Sequence, residues 1–396
     1  MQAILSYRGQ AIDKGILHQV ITYTRQFQCE FDVINLDLQA ESRIGIFKIA
    51  LKANEDHKLK SCIQSLYSLG MDQEEESEAL FKIAQKDAFA PDDFYLCQGN
   101  PIEILYNNQW HRLLHPTRLT LITWREESLS TIFLDQVRAG DYILCGYQGI
   151  RAWNMQQPKN YPSNPYLTLF SSASLRTFSL LESQAYFLSQ ILQKSQLNQE
   201  NISVIIGHNS LSQKSLPVLE TFSQRTKIHH VLTDQNSILL DLMSAFFNPK
   251  HISDAQELYL MKTLNKIHGY GSIRNAFDLG ALNGGWIHQL LQQESSLIIA
   301  PSTSVAMPLP ESIQDVILLR NQLTQMLAQT KVVLLLGDGS LSQLILPLLT
   351  AQHYLLYVDK HEHHSSFIDQ QDPFMYNIFH EDPIKLLEAA NLFLQE

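Results

Sequence analysis

The chain has 396 residues, a length at which we expect two or three domains, and its 45% hydrophobic and 17% charged residues are ordinary for a globular protein. Its formal net charge of -11 argues against nucleic acid as the main partner, because phosphate binding requires clustered Lys and Arg. With no long apolar run, no N-terminal signal pattern and four cysteines that form no CxxC motif, the sequence predicts a cytoplasmic protein with reduced thiols and no membrane partner.

The first 72 residues have the pattern of a ferredoxin-like α+β unit. Apolar residues at helical spacing from Ile12 to Phe27 predict one helix, and those from Leu59 to Leu69 predict a second. Apolar runs over 31–36 and 44–51 predict two strands between these helices. The order strand, helix, two strands, helix is that of a split βαβ unit, which we assign to residues 1–72.

A β-rich unit is predicted to follow, over residues 73–165. The acidic run from Asp72 to Glu78 predicts a solvated surface connection. Beyond this run, short β-like segments alternate with turn residues as far as about Trp153, which is typical of a compact β unit. Residues 155–165 contain three prolines and show no periodicity, so we interpret them as the crossing between the two halves of the chain.

The remainder, residues 166–396, has the pattern of a doubly wound parallel sheet. A helix is predicted over about 175–193, and short apolar runs then alternate with helical patterns. Short, strongly apolar strands separated by helices are typical of a parallel sheet that is covered on both faces. We therefore predict an α/β, Rossmann-like domain with strands over 203–206, 228–232, 297–300, 332–336 and 354–358.

One candidate nucleotide site follows the predicted strand over 332–336. The turn Gly337-Asp338-Gly339-Ser340 links that strand to a helix, and a glycine-rich turn there lets the backbone approach a pyrophosphate. Asp359 ends the next predicted strand, twenty residues past Gly339, where an acidic residue would bind a ribose diol and disfavour a 2′-phosphate. Ser342 stands where the fingerprint has its third glycine, so a simple turn is the alternative.

A second candidate site follows the predicted strands over 203–206 and 228–232. Gly207-His208-Asn209 comes directly after the first strand, and its alternative is a plain βα turn with Ser210 as helix N-cap. Asp234 and Asn236 follow the second strand in the same way. Because parallel strands end at one edge of a sheet, these polar strand ends together predict a ligand crevice at that edge.

Several runs of residues in the first half resemble one known family. They cover 9–16, 90–95, 100–105 and 137–151, the last ending in Gly146-Tyr147-Gln148-Gly149-Ile150-Arg151. Together they resemble the region shared by the bifunctional lysine-ketoglutarate reductase/saccharopine dehydrogenases (LOR/SDH) and the archaeal-type, NAD-dependent ornithine cyclodeaminases. In the second half the resemblance is one of layout, and it places Gly207, Ser302 and Asp359 where the family has its cofactor loops.

The resemblance implies a reaction, a cofactor and an assembly. Such enzymes convert ornithine to proline and ammonia with bound NAD, so the resemblance implies NAD, an ornithine-like substrate and a homo-oligomer. Arg151 and Arg8 are then candidates to bind the substrate carboxylate, because a guanidinium binds a carboxylate through two N–H groups. A structural ion pair is the alternative for each. Asp13 is a candidate to hold the δ-ammonium or to act as a base, and a helix N-cap is its alternative.

One segment departs from the family pattern. Residues 254–260 replace a histidine-rich run, which keeps two other functions open. One is a non-catalytic relative that binds a dinucleotide or an amino acid as a sensor or partner module. The other is a different NAD-dependent amino acid dehydrogenase, which would release NADH. The run His361-Glu362-His363-His364 lacks the further ligands that a metal site needs, so we expect a solvated loop there and no metal.

Overall fold

The computed structural model describes residues 2–9, 16–39, 44–69, 71–73, 77–97, 99, 101–113, 116–152, 179–207, 211–247, 256–301, 307–337, 339–361, 368 and 374–394. Contacts between residues divide the chain into two compact units. The first contains Met1–Pro158 with Leu349–Ala351 and Gln370–Pro373, and the second contains Lys159–Leu348, Gln352–Asp369 and Phe374–Glu396. The finer division into three domains, at residues 72 and 165, stays a prediction.

The first unit begins with a four-stranded antiparallel sheet and two helices. Its elements are, in chain order, β1 Gln2–Gly9, α1 Ile16–Gln26, β2 Glu30–Gln39, β3 Ile44–Lys52, α2 Asp56–Ser68 and β4 Met71–Gln73. The strand order β2-β3-β1-β4, with each neighbouring pair antiparallel, confirms the ferredoxin-like arrangement. Leu5, Phe47 and Leu66 are fully buried in its core. The predicted helix start at Ile12 lies outside the described residues.

The last strand of this sheet corrects one prediction. Asp72 and Gln73 do not belong to a surface connection, because they pair with Ser6 and Leu5 of β1. β1 lies inside the sheet, and the backbone N–H and C=O groups on both its edges require partners. Pairing with a strand distant in sequence therefore outweighs a local composition that favours solvent.

The rest of the first unit is β-rich, as the sequence predicts. Its strands are β5 Leu80–Ile83, β6 Leu96–Cys97, β7 Ile102–Tyr106, β8 Gln109–Arg112, β9 Thr120–Arg125, β10 Ser128–Ile132, β11 Tyr142–Cys145 and β12 Ile150–Ala152. They form one sheet of order β10-β9-β11-β5, with β6 paired to β9, and a second of order β12-β7-β8. The β7–β8 hairpin turns on Asn107 and Asn108, whose φ angles of 52° and 58° are those of a type I′ turn.

The second unit contains a six-stranded parallel sheet. Its elements are α3 Leu180–Leu197, β13 Ile202–Ile206, α4 Leu216–Arg225, β14 His230–Asp234, α5 Gln235–Phe246, α6 Gln256–Tyr270, α7 Ile273–Asp278, α8 Trp286–Gln292, β15 Ser296–Ala300, α9 Val316–Gln329, β16 Val332–Leu336, α10 Gly339–Ile345, β17 Tyr354–Val358, β18 Met375–Phe379 and α11 Pro383–Asn391. The strand order is β15-β14-β13-β16-β17-β18, with every neighbouring pair parallel. Counted along the chain, this is the order third, second, first, fourth, fifth, sixth of the dinucleotide-binding fold. The predicted α/β, Rossmann-like class is confirmed.

Three elements of the second unit differ from their predictions. β14 covers His230–Asp234 rather than 228–232, because its pairing with β13 and β15 starts at His230. α3 starts at Leu180 rather than near 175, because Ser179 and Glu182 form a capping box there. β18 has no counterpart among the predicted strands, because only its last residue, Phe379, is buried and no continuous apolar run marks it.

The central strands carry the core of this unit. All residues of β13, β16 and β17 are buried, as expected for parallel strands that helices cover on both faces. Their hydrophobic core also includes Phe187 of α3 and Leu386 of α11. None of the helices that the structure describes is long and apolar enough to cross a membrane.

Candidate functional site

The carboxyl edge of the parallel sheet brings the predicted polar strand ends together. β13 and β16 are neighbours, with Ile206 paired to Leu336, and the chain leaves them in opposite directions along the sheet order. Gly207 and Gly337 follow these two strands directly. In doubly wound sheets, ligands bind at such a switch point. The structure therefore places both glycine turns where the fold binds ligands.

Gly337 has a backbone conformation that suits glycine. Its φ angle is +45°, and its N–H donates to the carbonyl oxygen of Val358 across 2.7 Å. Gly339 is the first residue of α10, and Ser340 lies exposed in the first turn of that helix. Asp338 lies outside the described residues. The turn thus joins a buried strand to a helix start, as the sequence predicts for a phosphate-binding turn.

Asp359 follows β17 and is 3% exposed. One carboxylate oxygen accepts the backbone N–H of His361 at 2.7 Å, and the other accepts the Tyr357 hydroxyl at 3.3 Å. A carboxylate accepts hydrogen bonds from hydroxyl groups, which suits this side chain to a ligand that carries a diol. The side chain is held by its own strand end and can accept from a diol.

A cavity of about 830 Å³ opens above these strand ends, within the second unit. Its volume is in the range that small-molecule and cofactor sites occupy. It lies between the starts of α4 and α11, and its walls combine apolar and charged side chains. The lining residues are Leu211, Ser212, Lys214, Ser215, Val218, Gly337, Asp359, Lys360, His361, Asp382, Pro383, Ile384 and Glu388.

The other half of the edge holds the second candidate set. Asp234 is 8% exposed, and its carboxylate N-caps α5, since it accepts the Ser237 backbone N–H at 2.9 Å and the Ser237 hydroxyl at 3.2 Å. Asn236 is half-buried in the first turn of that helix. His208, Asn209 and Ser302 lie outside the described residues. Asp234 thus lies at the predicted edge and acts there as a helix cap.

Gln235 belongs to the polar strand end after β14, and its contacts could not be predicted from the sequence. Its side chain is 1% exposed, and its amide donates to the Met307 carbonyl at 2.9 Å and accepts the Leu309 N–H at 3.2 Å. His268 also contacts the Pro308 carbonyl oxygen, at 3.0 Å. Gln235 therefore fixes residues 307–309 beside the carboxyl ends of β14 and β15. No local signal marks this role, because the partners are distant in the sequence.

Arg151, a predicted carboxylate-binding residue, lies in an ion-pair cluster of the first unit. Its Nε and Nη2 both reach Oε2 of Glu103, at 2.8 and 2.7 Å, while the Arg112 Nε reaches Oε1 at 2.8 Å. The Arg151 guanidinium also lies 3.8 Å from the Trp110 ring centroid, a cation–π contact. Burial alone would raise the Glu103 pKa, but hydrogen bonds from Arg112 and Arg151 outweigh it and lower that pKa.

This geometry is that of the structural ion pair, and carboxylate binding by Arg151 stays a prediction. Arg8 lies in β1 opposite Ile46, and its side chain is outside the described part of the structure. Asp13 also lies outside the described residues. Of the three candidate catalytic residues, Arg151 is therefore the one whose side-chain environment the structure describes.

We expect Glu103→Gln to lower the free energy of unfolding by about 1–2 kcal/mol at pH 7, since both arginines lose their charged partner and are themselves partly exposed. The folded pKa of Glu103 is lowered, so this contribution is present above the ordinary Glu pKa and is lost as pH falls through the folded pKa. Urea unfolding at pH 7 and pH 3 measures both effects, with the exposed Glu127→Gln as control. An equal loss at both pH values would contradict the ionic origin.

The comparisons with known proteins match this architecture in two parts. Residues 2–99 match the LOR/SDH bifunctional enzyme conserved region, and residues 188–359 match the arginine dihydrolase ArgZ-like, C-terminal, Rossmann fold. The N-terminal part of the chain is thus similar to the LOR/SDH conserved region. The match to the first model confirms the resemblance of the early runs, and the second covers the strands that form the cavity floor as far as Asp359.

Similarity to known enzymes extends over most of the chain. An ornithine cyclodeaminase of Methanococcus maripaludis is 21% identical over 351 residues, covering 84% of this chain and 83% of that protein. The bifunctional arginine dihydrolase/ornithine cyclodeaminase ArgZ of Synechocystis sp. is 19% identical, and the match spans only 50% of its length. Among solved structures, apo ArgZ superposes with a TM-score of 0.85 at 17% identity, covering 100% of this chain and 58% of that one. At such identity the superposition shows the fold.

Proposed function

We propose that the chain is an NAD-dependent ornithine cyclodeaminase-like ammonia-lyase, which converts ornithine to proline and ammonia. The observation that carries this proposal is the shared order of a LOR/SDH region and an ArgZ-like Rossmann fold, together with relatives named ornithine cyclodeaminase over 84% of the chain. The related protein AgrE has been crystallised as a ternary complex with ornithine and NAD+. An amino acid substrate and a dinucleotide are thus the ligands to test first.

The cavity over β16 and β17 fits the adenosine half of NAD. Gly337 has no side chain to block an approaching phosphate, and the buried Asp359 carboxylate can accept hydrogen bonds from both ribose hydroxyls. Leu211, Val218 and Ile384 supply apolar wall for a purine. A carboxylate at this place repels a 2′-phosphate, so we propose NAD rather than NADP.

When bound, NAD supplies the hydride acceptor and returns the same hydride, so the redox chemistry belongs to the cofactor. The chain's own residues then bind and orient the amino acid. Arg151 is held by Glu103 and Trp110, and its remaining N–H groups can donate to the substrate carboxylate. Arg8 is the second candidate for that contact, and Asp13 is the candidate to hold the δ-ammonium or accept its proton.

A second function is favoured by one departure from the family. Where the family has a histidine-rich run, this chain has residues 254–260, and the described part of that segment is the first turn of α6. Without those histidines, the second candidate is a non-catalytic relative that binds a dinucleotide or an amino acid as a sensor. Such a protein would bind NAD yet leave ornithine unchanged. A dehydrogenase would instead accumulate NADH.

Calorimetric titration of the cofactor-stripped chain with NAD tests the proposal. We expect a Kd on the order of micromolar, weakened roughly tenfold or more by Asp359→Ala, because two charge-assisted hydrogen bonds to the ribose are lost. The exposed Asp92→Ala is the matched control and should bind like the unsubstituted chain. Melting temperatures of both variants separate a lost contact from a damaged fold.

Turnover is then assayed with ornithine. Proline and ammonia formed without net NADH support the cyclodeaminase, whereas NADH release supports the dehydrogenase. NAD binding without turnover favours the non-catalytic relative. No binding at millimolar NAD would rule out the cyclodeaminase and the dehydrogenase, and it would leave a non-redox relative that binds an amino acid.

A further inference from the structure

Two lysines line the cavity above the sheet edge. Lys214 lies on the approach to α4, and Lys360 directly follows Asp359. Both are exposed, and no hydrogen bond or ion pair joins either to another residue in the part of the chain that the structure describes. Some other lysines are paired, as Lys52 is with Asp32 at 2.6 Å. The cavity therefore presents cations that are available to a ligand.

Of these two lysines, Lys214 is the one that follows a strand of the switch point. It follows β13, and Gly337, which lines the same cavity, follows the neighbouring strand β16. A dinucleotide that crosses the edge of a doubly wound sheet carries its pyrophosphate between these two strand ends. Lys214 also stands two residues before the first residue of α4, so its ammonium adds to the positive end of that helix.

The carboxylates of the cavity lie on its other walls. Asp359 follows β17 and accepts from the His361 N–H, while Asp382 caps α11 by accepting the Ile384 and Lys385 N–H groups at 3.0 and 3.1 Å. Glu388 lies further along α11. The β17 wall thus carries Asp359 beside Lys360, the α11 wall carries carboxylates, and the α4 side carries Lys214 without a lining carboxylate. Carboxylates accept from hydroxyls, and an ammonium donates to phosphate oxygens.

We propose that Lys214 binds the pyrophosphate of the dinucleotide and makes the cavity select nucleotides over nucleosides. This assignment rests on the NAD site proposed above and adds the residue that binds the phosphates. The ammonium donates to the pyrophosphate oxygens, while Asp359 binds the ribose at the end of β17. Lys214 is therefore a binding residue whose removal affects phosphate-bearing ligands alone.

The test compares three ligands on the full chain by calorimetry: adenosine titrated to millimolar, ADP-ribose and NAD. We expect Lys214→Met to weaken ADP-ribose and NAD by roughly tenfold or more and to leave adenosine within about twofold, because only the phosphate contact is lost. The dependence of ADP-ribose affinity on salt should become shallower as well. Lys385→Met is the matched control, because that exposed lysine on α11 does not line the cavity.

The outcomes separate this inference from the proposal on which it rests. If the unsubstituted chain binds NAD and Lys214→Met binds ADP-ribose equally well, the phosphate is held by backbone groups and the assignment of Lys214 is overturned. If Lys214→Met also weakens adenosine tenfold, the lysine shapes the cavity and the assignment fails too. If the unsubstituted chain binds none of the three ligands, the proposed function fails and the role of Lys214 fails with it. Partial recovery by Lys214→Arg, which keeps the charge, supports the assignment.

Discussion

Gly149→Ala is expected to lower the free energy of unfolding by roughly 3–5 kcal/mol, a large share of the roughly 5–15 kcal/mol that stabilises an ordinary protein. A Cβ at this position would lie 2.3 Å from the Ala79 nitrogen and 2.7 Å from the Ser77 carbonyl oxygen. These are backbone atoms, and hydrogen bonds hold them, since the Ala79 N–H donates to Leu105 and the Leu105 N–H donates to Gly149. The φ angle of +69° adds a smaller cost for any residue with a side chain.

Gly146→Ala provides the matched control in the same turn. Gly146 has the same φ angle of +69°, yet a Cβ there meets no atom within 4 Å. We therefore expect a loss of only about 1 kcal/mol, from backbone conformation alone. Urea unfolding followed by tryptophan fluorescence, to which Trp110 and Trp124 of the first unit contribute, compares the two variants. Equal losses would show that conformation, and not the close approach to residue 79, is what requires glycine at 149.

This pair of glycines shows what the sequence could convey about the fold. The run Gly146-Tyr147-Gln148-Gly149-Ile150-Arg151 pointed to a family, and the structure supplies a physical reason for its second glycine. Regular elements were predictable where periodicity is strong, as in the five apolar strands of the parallel sheet. β4 and β18 were not, because pairing with distant strands, and not local composition, makes them strands.

The candidate site was predictable where its signal is local. The strand, turn and helix around Gly337, and an acid at the end of the next strand, can be read along the chain. The cavity cannot, because α4 and α11, which form its walls, lie more than 150 residues apart. For the same reason, the sequence does not predict that Lys214 and Ile384 line one cavity. Asp234 was placed at the correct edge, but its role as N-cap of α5 depends on atomic geometry.

Asp241→Ala is expected to lower the free energy of unfolding by about 2–4 kcal/mol, because it leaves two buried N–H donors without an acceptor. The Asp241 carboxylate, on α5 and 1% exposed, accepts the N–H groups of Trp286 and Ile287 at 3.0 and 2.9 Å and so caps α8 from a neighbouring helix. Asp315→Ala removes an exposed cap within its own helix, α9, and should cost about 1 kcal/mol. If both variants lost the same unfolding free energy, the burial of the α8 N–H groups would add nothing to the cost of losing a cap.

The charge of Asp241 predicts an unusual dependence of stability on pH. Burial raises its pKa from 3.8 to about 6, although hydrogen bonds from Ile287 and Trp286 oppose the rise. The folded chain therefore holds this proton more tightly than the unfolded chain does. The resulting stabilisation is complete below pH 3.8 and is lost as pH rises through about 6. The total loss is roughly 3 kcal/mol, because the pKa differs by about two units between the folded and unfolded chain.

Other carboxylates change stability in the opposite direction, so Asp241 must be isolated by difference. Glu103 and Asp141 have lowered pKa values and stabilise the fold as pH rises. Asp241→Asn keeps the shape and one acceptor oxygen but does not titrate. The unfolding free energy of the unsubstituted chain minus that of Asp241→Asn should therefore decrease steadily from pH 4 to pH 6.5. A difference that stays flat over this range would mean that the α8 N–H groups stabilise the carboxylate enough to cancel its burial.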